Sequence, residues 1–342
     1  RHLERNEREA MLTRIVEDRV YDYAHVVGGR IFMGIYTIAL GRGDDVYAIV
    51  RMPYAAKVVR LTIGTMPDDE EIIVEFGHRG EGEGEFVWPA GVAVDSQQNV
   101  FVTDEWLNRV NVYTANGEYL RTFGTSGNGD RQFNRPSGIT IDANDDLYIS
   151  DSLNHRVQKL SNDGRYINQW GSQGTEAGEF KSPWGITTDD HGDVYVADHK
   201  NHRIQKFSAD GDFLFQLGSH GKGDDQFDHP SSVAVDSDGE IYVCDWANDR
   251  VQTFDRDRNF LTSFEGNAQD LSKWQRQYVS SNPDVYKARR RVYSLEPEQR
   301  FALPMAVAFD NEKSRLMVVD SQRWRIQMYN KLRDYADPQF NI

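Results

Sequence analysis

A unit of 47 residues repeats along this chain and constrains its fold more than any other feature. The repeat is carried by two sets of equally spaced residues, Pro89, Pro136, Pro183 and Pro230, and Asp104, Asp151, Asp198 and Asp245. Each unit contains short alternating apolar segments separated by turns rich in Gly, Asp and Asn, which predicts four antiparallel strands. One such sheet cannot bury both of its faces alone, so neighbouring units are expected to stack into a closed ring.

Five clear units and one degenerate unit predict an all-β fold, a six-bladed β-propeller. The inner strands of the clear units begin near Ala90, Ser137, Trp184, Ser231 and Met305. The degenerate unit precedes them, with a turn at 41–45 and a strand at 46–50, and Arg51 falls near the position that Asp occupies elsewhere. The last unit ends after Tyr329 without a clear outer strand, and residues 20–27 are predicted to supply that strand and close the ring.

Two segments lie outside the repeat, and both are predicted to be helical. Residues 1–19 form an N-terminal extension in which Met11, Leu12, Ile15 and Val16 mark one stripe of a helix over 2–18. The propeller then spans 20–342, and its proline spacing stretches to 74 residues before Pro304, which predicts a helical insert over 267–302 between blades 5 and 6. The insert replaces a connection on the face that carries the loops after each repeated Asp. We therefore expect it to lean over that mouth of the channel and to dock a partner.

The triplets Asn-His-Arg at 154–156 and 201–203 resemble the NHL repeat family, which is named after Asn-His-Leu. The resemblance covers about residues 36–329 and implies the propeller fold. The first blade and the closing strand are similar to the amidating-lyase branch of that family, which cleaves peptidyl-α-hydroxyglycine with a central zinc ion, and Arg51 matches its arginine. That branch places its zinc histidines directly after the blade prolines, where this chain has Ala90, Ser137, Trp184, Ser231 and Met305. Zinc-dependent lyase activity is therefore not expected.

Composition excludes several classes of function. The formal net charge of −15 argues against nucleic-acid binding, which needs clustered Lys and Arg. The single cysteine, Cys244, excludes an internal disulfide and a thiolate metal cage, and no apolar run is long enough for a membrane helix. No cofactor is expected, although a metal ion in the central channel stays open as an alternative. The chain begins at Arg1, so the sequence is compatible with the cytoplasm and with export by a targeting peptide that precedes this numbering.

Each repeated Asp is followed five residues later by an Arg, and five copies of one pair indicate a structural role. We expect each pair to fasten a loop or two neighbouring blades through charge-assisted hydrogen bonds. The pairs are Asp104 and Arg109, Asp151 and Arg156, Asp198 and Arg203, Asp245 and Arg250, and Asp320 and Arg325. His155 and His202 occupy one repeat position and are interpreted as packing residues, so no metal ligands are predicted.

Residues that break the repeat at the mouth of the channel are the candidates for function. Trp provides stacking area and Arg binds carboxylates in a bidentate manner, so this set suits a small organic ligand with an anionic part. The predicted ligand-binding residues are Arg51, Tyr54, Trp106, Trp184, His199, Trp246 and Arg323. The favoured hypothesis is a binding or scaffold module for a small organic ligand or a protein partner. The alternative is a non-zinc lyase-like or hydrolase-like enzyme in which Arg51 orients the substrate and Glu105 and His199 exchange protons.

Overall fold

The structure is a computed structural model that describes residues 13–16, 19–66 and 68–332. The described residues form six large antiparallel sheets, five of four strands and one of five strands. Two short parallel strand pairs lie in loops between these sheets, Thr125–Ser126 with Gln132–Phe133 and Ser219–His220 with Gln226–Phe227. The innermost strands of the six sheets contact one another in a closed cycle, because the innermost strand of the last sheet packs against that of the first. The sheets are therefore the six blades of a β-propeller around a central channel, as the repeat predicts.

The strands of each blade follow one another from the channel outwards. Blade 1 consists of Ile35–Leu40, Asp45–Met52, Ala55–Thr62 and Glu71–Phe76, and blade 2 of Pro89–Val94, Val100–Asp104, Arg109–Tyr113 and Tyr119–Phe123. Blade 3 consists of Pro136–Ile141, Leu147–Asp151, Arg156–Leu160 and Tyr166–Trp170, and blade 4 of Pro183–Thr188, Val194–Asp198, Arg203–Phe207 and Phe213–Leu217. Blade 5 consists of Pro230–Val235, Ile241–Asp245, Arg250–Phe254 and Phe260–Phe264. Blade 6 consists of Pro304–Asp310, Arg315–Asp320, Arg325–Leu332, Arg19–Gly28 and Thr13–Val16.

The core lies between neighbouring blades, since successive side chains of a strand point to opposite faces of its sheet. In the second strand of blade 2, Val100 and Val102 pack with Tyr47 of blade 1, whereas Phe101 packs with Ile149 of blade 3. All five of these residues are fully buried. The period-two pattern of the sequence thus gives each blade two apolar faces, and closing the ring covers both.

The ring closes by pairing the two ends of the described chain. Strand Arg19–Gly28 lies antiparallel to Arg325–Leu332, from the pair Val20 and Leu332 to the pair Gly28 and Arg325. This strand includes the segment 20–27 that the sequence predicts as the closing strand.

The predicted N-terminal helix is wrong where the structure describes it. Thr13–Val16 is a strand, and it pairs antiparallel with the start of Arg19–Gly28. Strand Arg19–Gly28 is the outermost full strand of blade 6, so its free backbone groups accept a further strand, and the β-branched Thr13, Ile15 and Val16 favour that conformation. The other residues of the predicted helix, 2–12 and 17–18, lie outside the described residues.

The insert between blades 5 and 6 is helical, with α1 at Lys273–Ser281, α2 at Pro283–Arg291 and α3 at Glu296–Gln299. Ser272 caps α1 in a capping box with Gln275, and its hydroxyl also donates to the carbonyl of Gly28. Lys273 Nζ donates to the carbonyl of Glu70 at 3.0 Å. These contacts attach α1 to the rim where blades 6 and 1 meet, and not to the aromatic residues around the channel. No helix in the described ranges has the length and apolar character needed to cross a bilayer.

Candidate functional site at the channel mouth

The repeated Asp residues anchor the loops on the face that carries the candidate site. Asp198 shows the pattern: its carboxylate accepts hydrogen bonds from Arg203 Nε at 2.9 Å and from the backbone N–H of Lys181 at 2.7 Å. Arg203 in turn donates to the carbonyls of Glu176 and Glu179 in the loop that leads to blade 4. The same ion pair forms between Asp151 and Arg156, Asp245 and Arg250, and Asp320 and Arg325.

Blade 2 departs from this pattern. Arg109 donates to the carbonyls of Glu81, Gly82 and Glu85, but its Nε has no hydrogen-bond partner among the described residues. Asp104 accepts instead from backbone N–H groups, including that of Val87 at 2.8 Å. The ion pair expected between Asp104 and Arg109 is therefore replaced by two separate sets of backbone contacts that fasten the same loop.

The histidine of the repeat ties one blade to the next. His155 Nδ1 accepts the backbone N–H of Ser182 at 3.1 Å, and His202 Nδ1 accepts that of His229 at 3.1 Å. Asn108 and Asp249 occupy the same position in blades 2 and 5 and accept the N–H of Arg135 and of Leu303 through a side-chain oxygen. The position requires a side chain that accepts a hydrogen bond and that tolerates a positive φ, which is 53–55° in these four residues. This explains why Asn, His and Asp exchange there.

A second set of contacts links the blades around the mouth. The residue one position beyond the repeated Asp, or beyond Val50 in blade 1, donates to the carbonyl at the start of the innermost strand of the next blade in four places. The bonds are Arg51 Nη1 to Pro89 at 3.0 Å, Ser152 Oγ to Pro183 at 2.5 Å, His199 Nδ1 to Pro230 at 3.1 Å and Ser321 Oγ to Ile35 at 2.6 Å. Register explains the placing of Arg51: Val50 pairs with Ile35 as Asp104 pairs with Pro89, so Arg51 lies one residue beyond the Asp position.

Two residues of this ring do not tie blades together. A carboxylate such as Glu105 accepts hydrogen bonds and cannot donate one to a carbonyl. It forms an ion pair with Arg51, whose Nη1 lies at 3.8 Å. Trp246 carries a donor, but its Nε1 is buried with no hydrogen-bond partner among the described residues. At 3.8 Å the ion pair between Glu105 and Arg51 is too long for a hydrogen bond, so the Glu105 oxygens can still accept a hydrogen bond from a ligand, and the Trp246 N–H can donate one.

Aromatic rings connect these residues into a wall. The Trp184 ring lies 6.2 Å from that of Tyr36, 4.2 Å from that of His199 and 6.4 Å from that of Trp246, measured between centroids. The Arg51 guanidinium lies over Tyr36, 3.3 Å from the ring centroid, and 4.7 Å from that of Trp88. Arg51 is thus held by two rings, one carbonyl and one carboxylate, and its side chain is only 10% exposed. It is not available as the bidentate anion clamp that the sequence suggests.

Burial sets the protonation of the two acid–base candidates. Burial raises the pKa of Glu105, against the opposing effect of the positive charges on Arg51 and Arg135. Burial lowers the pKa of His199 to about 3, so the imidazole is neutral at physiological pH. Since His199 Nδ1 bonds to a carbonyl, Nδ1 carries the proton and Nε2 does not.

Three residues of the predicted ligand set lie apart from this wall. Tyr54 and Trp106 are exposed, at 71% and 62%. Arg323 turns to the insert, where its guanidinium donates to the carbonyl of Pro297 at 2.5 Å. Four residues of the predicted set therefore lie together at the wall: Arg51, Trp184, His199 and Trp246. The other three make no ring contact with this wall.

Sequence reasoning left Tyr36 and His229 out of the ligand set. In blade 1, Ile35 occupies the position that proline occupies in the other blades, and Tyr36 directly follows it. The sequence did not show this register, so Tyr36 was not recognised as a residue of the mouth. The His229 ring lies 4.9 Å from His199 and 4.5 Å from His202. A signal for it was present, because His229 directly precedes Pro230 as Ser182 precedes Pro183.

The channel below the mouth is lined mainly by small and aliphatic residues and has a volume of about 360 Å³. Its lining in the described residues includes Ala90, Trp184, Ser231 and Met305, and none of the lining side chains is an imidazole, a carboxylate or a thiol. A zinc ion needs such ligands at about 2 Å. The donors in the channel therefore do not fit the central zinc ion of the amidating-lyase branch.

The match to a known family agrees with the geometry of the repeats. The NHL repeat model matches residues 133–160, 180–207 and 227–254, which include the second and third strands of blades 3, 4 and 5. These segments are NHL repeats. No curated protein matches the chain.

Solved structures similar to this propeller include two kinds of enzyme. A streptogramin B lyase is 12% identical with a TM-score of 0.57, and the match covers 93% of this chain and 100% of that one. Virginiamycin B lyase from Staphylococcus aureus is 11% identical with a TM-score of 0.54, covering 91% and 99%. A gluconolactonase from Xanthomonas campestris is 14% identical with a TM-score of 0.56, covering 93% and 91%. At these identities the likeness concerns the fold alone.

Proposed function

We propose that this propeller is a binding module that takes a small organic ligand at the channel mouth. The observation that carries the proposal is that Glu105 and Trp246 do not make the inter-blade bond that the equivalent residues make in the other four blades. Glu105 presents a carboxyl group beside Arg51. Trp246 presents an N–H group that has no partner among the described residues, and its ring contacts that of Trp184. Buried polar groups normally have hydrogen-bond partners, so an unpaired donor beside an aromatic wall favours a ligand at that place.

The chemistry of the free groups defines the ligand. A planar or aromatic part would stack on Trp184 and Trp246, an acceptor atom would take the Trp246 N–H, and an amine or hydroxyl group would face Glu105. The anionic ligand expected from Arg51 is not favoured, because that guanidinium is already paired and stacked. We therefore propose heterocyclic amines and hydroxylated aromatic compounds as the ligand class.

A fragment screen by ligand-detected NMR tests this proposal, followed by titration of the hits against tryptophan fluorescence. Trp246→Phe removes the N–H and keeps a ring, and Glu105→Gln removes the charge and keeps the shape. Each variant should weaken binding of an amine hit by roughly tenfold, the size expected for one charge-assisted or buried hydrogen bond. Phe213→Ala, on the outer strand of blade 4, is the control and should bind as the wild type does. Hits that bind both mouth variants with the affinity of the wild type would show that the ligand site lies elsewhere.

Catalysis at the same mouth is the second candidate, and the raised pKa of Glu105 favours it. Burial raises the pKa of the Glu105 carboxyl group, which favours its protonated form and a role as general acid, and Arg51 would position it. The reaction would be lyase-like or hydrolase-like and would use no zinc. For any ligand that is turned over, Glu105→Gln should abolish turnover, while Trp246→Phe should mainly raise KM. Equal turnover by Glu105→Gln would exclude Glu105 as the general acid, whereas no turnover of any ligand by the wild type would leave binding as the function.

A further inference from the structure

Two histidines and an aspartate meet where a turn within blade 4 contacts the loop between blades 4 and 5. One ligand-type atom from each of His202, His220 and Asp228 lies within 4.8 Å of the other two. Asp228 Oδ1 is 3.5 Å from His202 Nδ1 and 3.8 Å from His220 Nε2. The rings of His202 and His220 lie 4.3 Å apart between centroids. This cluster is used neither by the aromatic wall nor by the Asp–Arg anchors.

The backbone holds the three residues in place by bonds of its own. Ser219–His220 pairs in parallel with Gln226–Phe227, which brings His220 beside the residue that follows, Asp228. The N–H of Asp228 donates to the carboxylate of Asp245 at 2.6 Å, and His202 lies at the fixed inter-blade position. The cluster is therefore built on constrained backbone.

We propose that His202, His220 and Asp228 bind a divalent transition-metal ion, with Zn²⁺ the best match. Two imidazoles and one carboxylate, with water in the remaining position, form a usual zinc ligand set. Ligand atoms about 2.0–2.1 Å from a tetrahedral zinc ion lie about 3.4 Å from one another. The observed N···O distances of 3.5 and 3.8 Å thus need to shorten by only a few tenths of an ångström.

Two neighbouring bonds define how the ion would be accommodated. His229 Nδ1 lies 2.6 Å from Asp228 Oδ1, so the His229 ring orients the carboxylate as outer-shell partners of metal ligands do. His202 Nδ1 accepts the His229 backbone N–H, and a metal ion at this nitrogen replaces that hydrogen bond by a coordinate bond. The His229 amide should therefore report binding directly by a change in its NMR chemical shift.

The preceding repeat provides an internal control. His155 occupies the position of His202 and accepts a backbone N–H in the same manner, but Gln173 and Lys181 stand where His220 and Asp228 stand. The complete set of three ligands is therefore present between blades 4 and 5, whereas the equivalent place between blades 3 and 4 has only the histidine.

Isothermal titration of the tag-free chain with ZnCl₂ tests the site, with MgCl₂ as a hard-cation control. The wild type should bind one Zn²⁺ and no Mg²⁺ in this range. His202→Asn removes the imidazole but keeps an acceptor, as Asn108 does in blade 2, and His220→Gln copies blade 3. Each should weaken zinc binding at least tenfold, whereas His155→Asn should leave it unchanged. No saturable binding by the wild type, undiminished affinity of His220→Gln, or equal loss in His155→Asn would each overturn the proposal.

Discussion

Replacing His155 tests whether the histidine of the repeat acts as a hydrogen-bond acceptor between blades. His155→Ala leaves the backbone N–H of Ser182 without its partner, which lies at 3.1 Å in the structure. An unsatisfied, partly buried N–H costs about 1–3 kcal/mol of the free energy of unfolding. Alanine keeps a Cβ atom at φ 54°, as histidine does, so the loss of stability in this variant reports mainly the hydrogen bond.

Two further variants separate these contributions. His155→Gly loses the same hydrogen bond but has no Cβ atom, so it should be about 1 kcal/mol more stable than His155→Ala. His155→Asn keeps both requirements, since Asn108 accepts the N–H of Arg135 at 2.8 Å from the same position with φ 55°. We expect His155→Asn to lie within about 0.5 kcal/mol of the wild type.

Equilibrium unfolding in urea, followed by tryptophan fluorescence and circular dichroism, measures these differences. Coincident transitions by the two probes would justify a two-state treatment of the ring. The acceptor explanation predicts that Asn is tolerated and that Ala costs most, with Gly between them. It is refuted if His155→Asn loses as much stability as His155→Ala, or if His155→Ala loses none.

Three other predictions follow from buried charges and bonds. Burial lowers the pKa of His155 below 6.5, so wild-type stability should fall as pH falls below 6.5, and His155→Asn should flatten that part of a urea–pH series. Burial raises the pKa of Glu70 from 4.5 to about 7, so stability should fall by up to about 3 kcal/mol as pH rises from 4.5 to 7, and Glu70→Gln should remove this loss. Asp198→Ala leaves Arg203 buried without its carboxylate and should cost about 3–5 kcal/mol in the same assay, whereas an unchanged midpoint would show that the backbone contacts suffice.

Much of the site could be read from the spacing of the repeat, but its chemistry could not. The pairs His155 and Ser182, and His202 and His229, are each separated by 27 residues, as are Asn108 and Arg135. That constant separation shows which positions meet. It does not show that the imidazole accepts a backbone N–H, because this depends on the direction of the amide in the next blade.

Arg51 illustrates the same limit. Its position at the mouth follows from the first blade, and its residue type suits an anionic ligand. Whether a guanidinium is free depends on all of its neighbours, and here Tyr36, Trp88 and Glu105 come from two blades. Such a convergence is not encoded in any one repeat. The irregular residues of different blades therefore had to be placed in space before their partners were known.

By itself the sequence determined the number of blades, the closing strand, the insert and the repeated Asp and Arg positions. These features are periodic or local, and a ring of equal units has one way to bury both faces of every sheet. Tertiary structure decided the rest: Thr13–Val16 became a strand because an open sheet edge lies next to it. The same is true of His202, His220 and Asp228, which come close only because two short loop strands pair and one blade contacts the next.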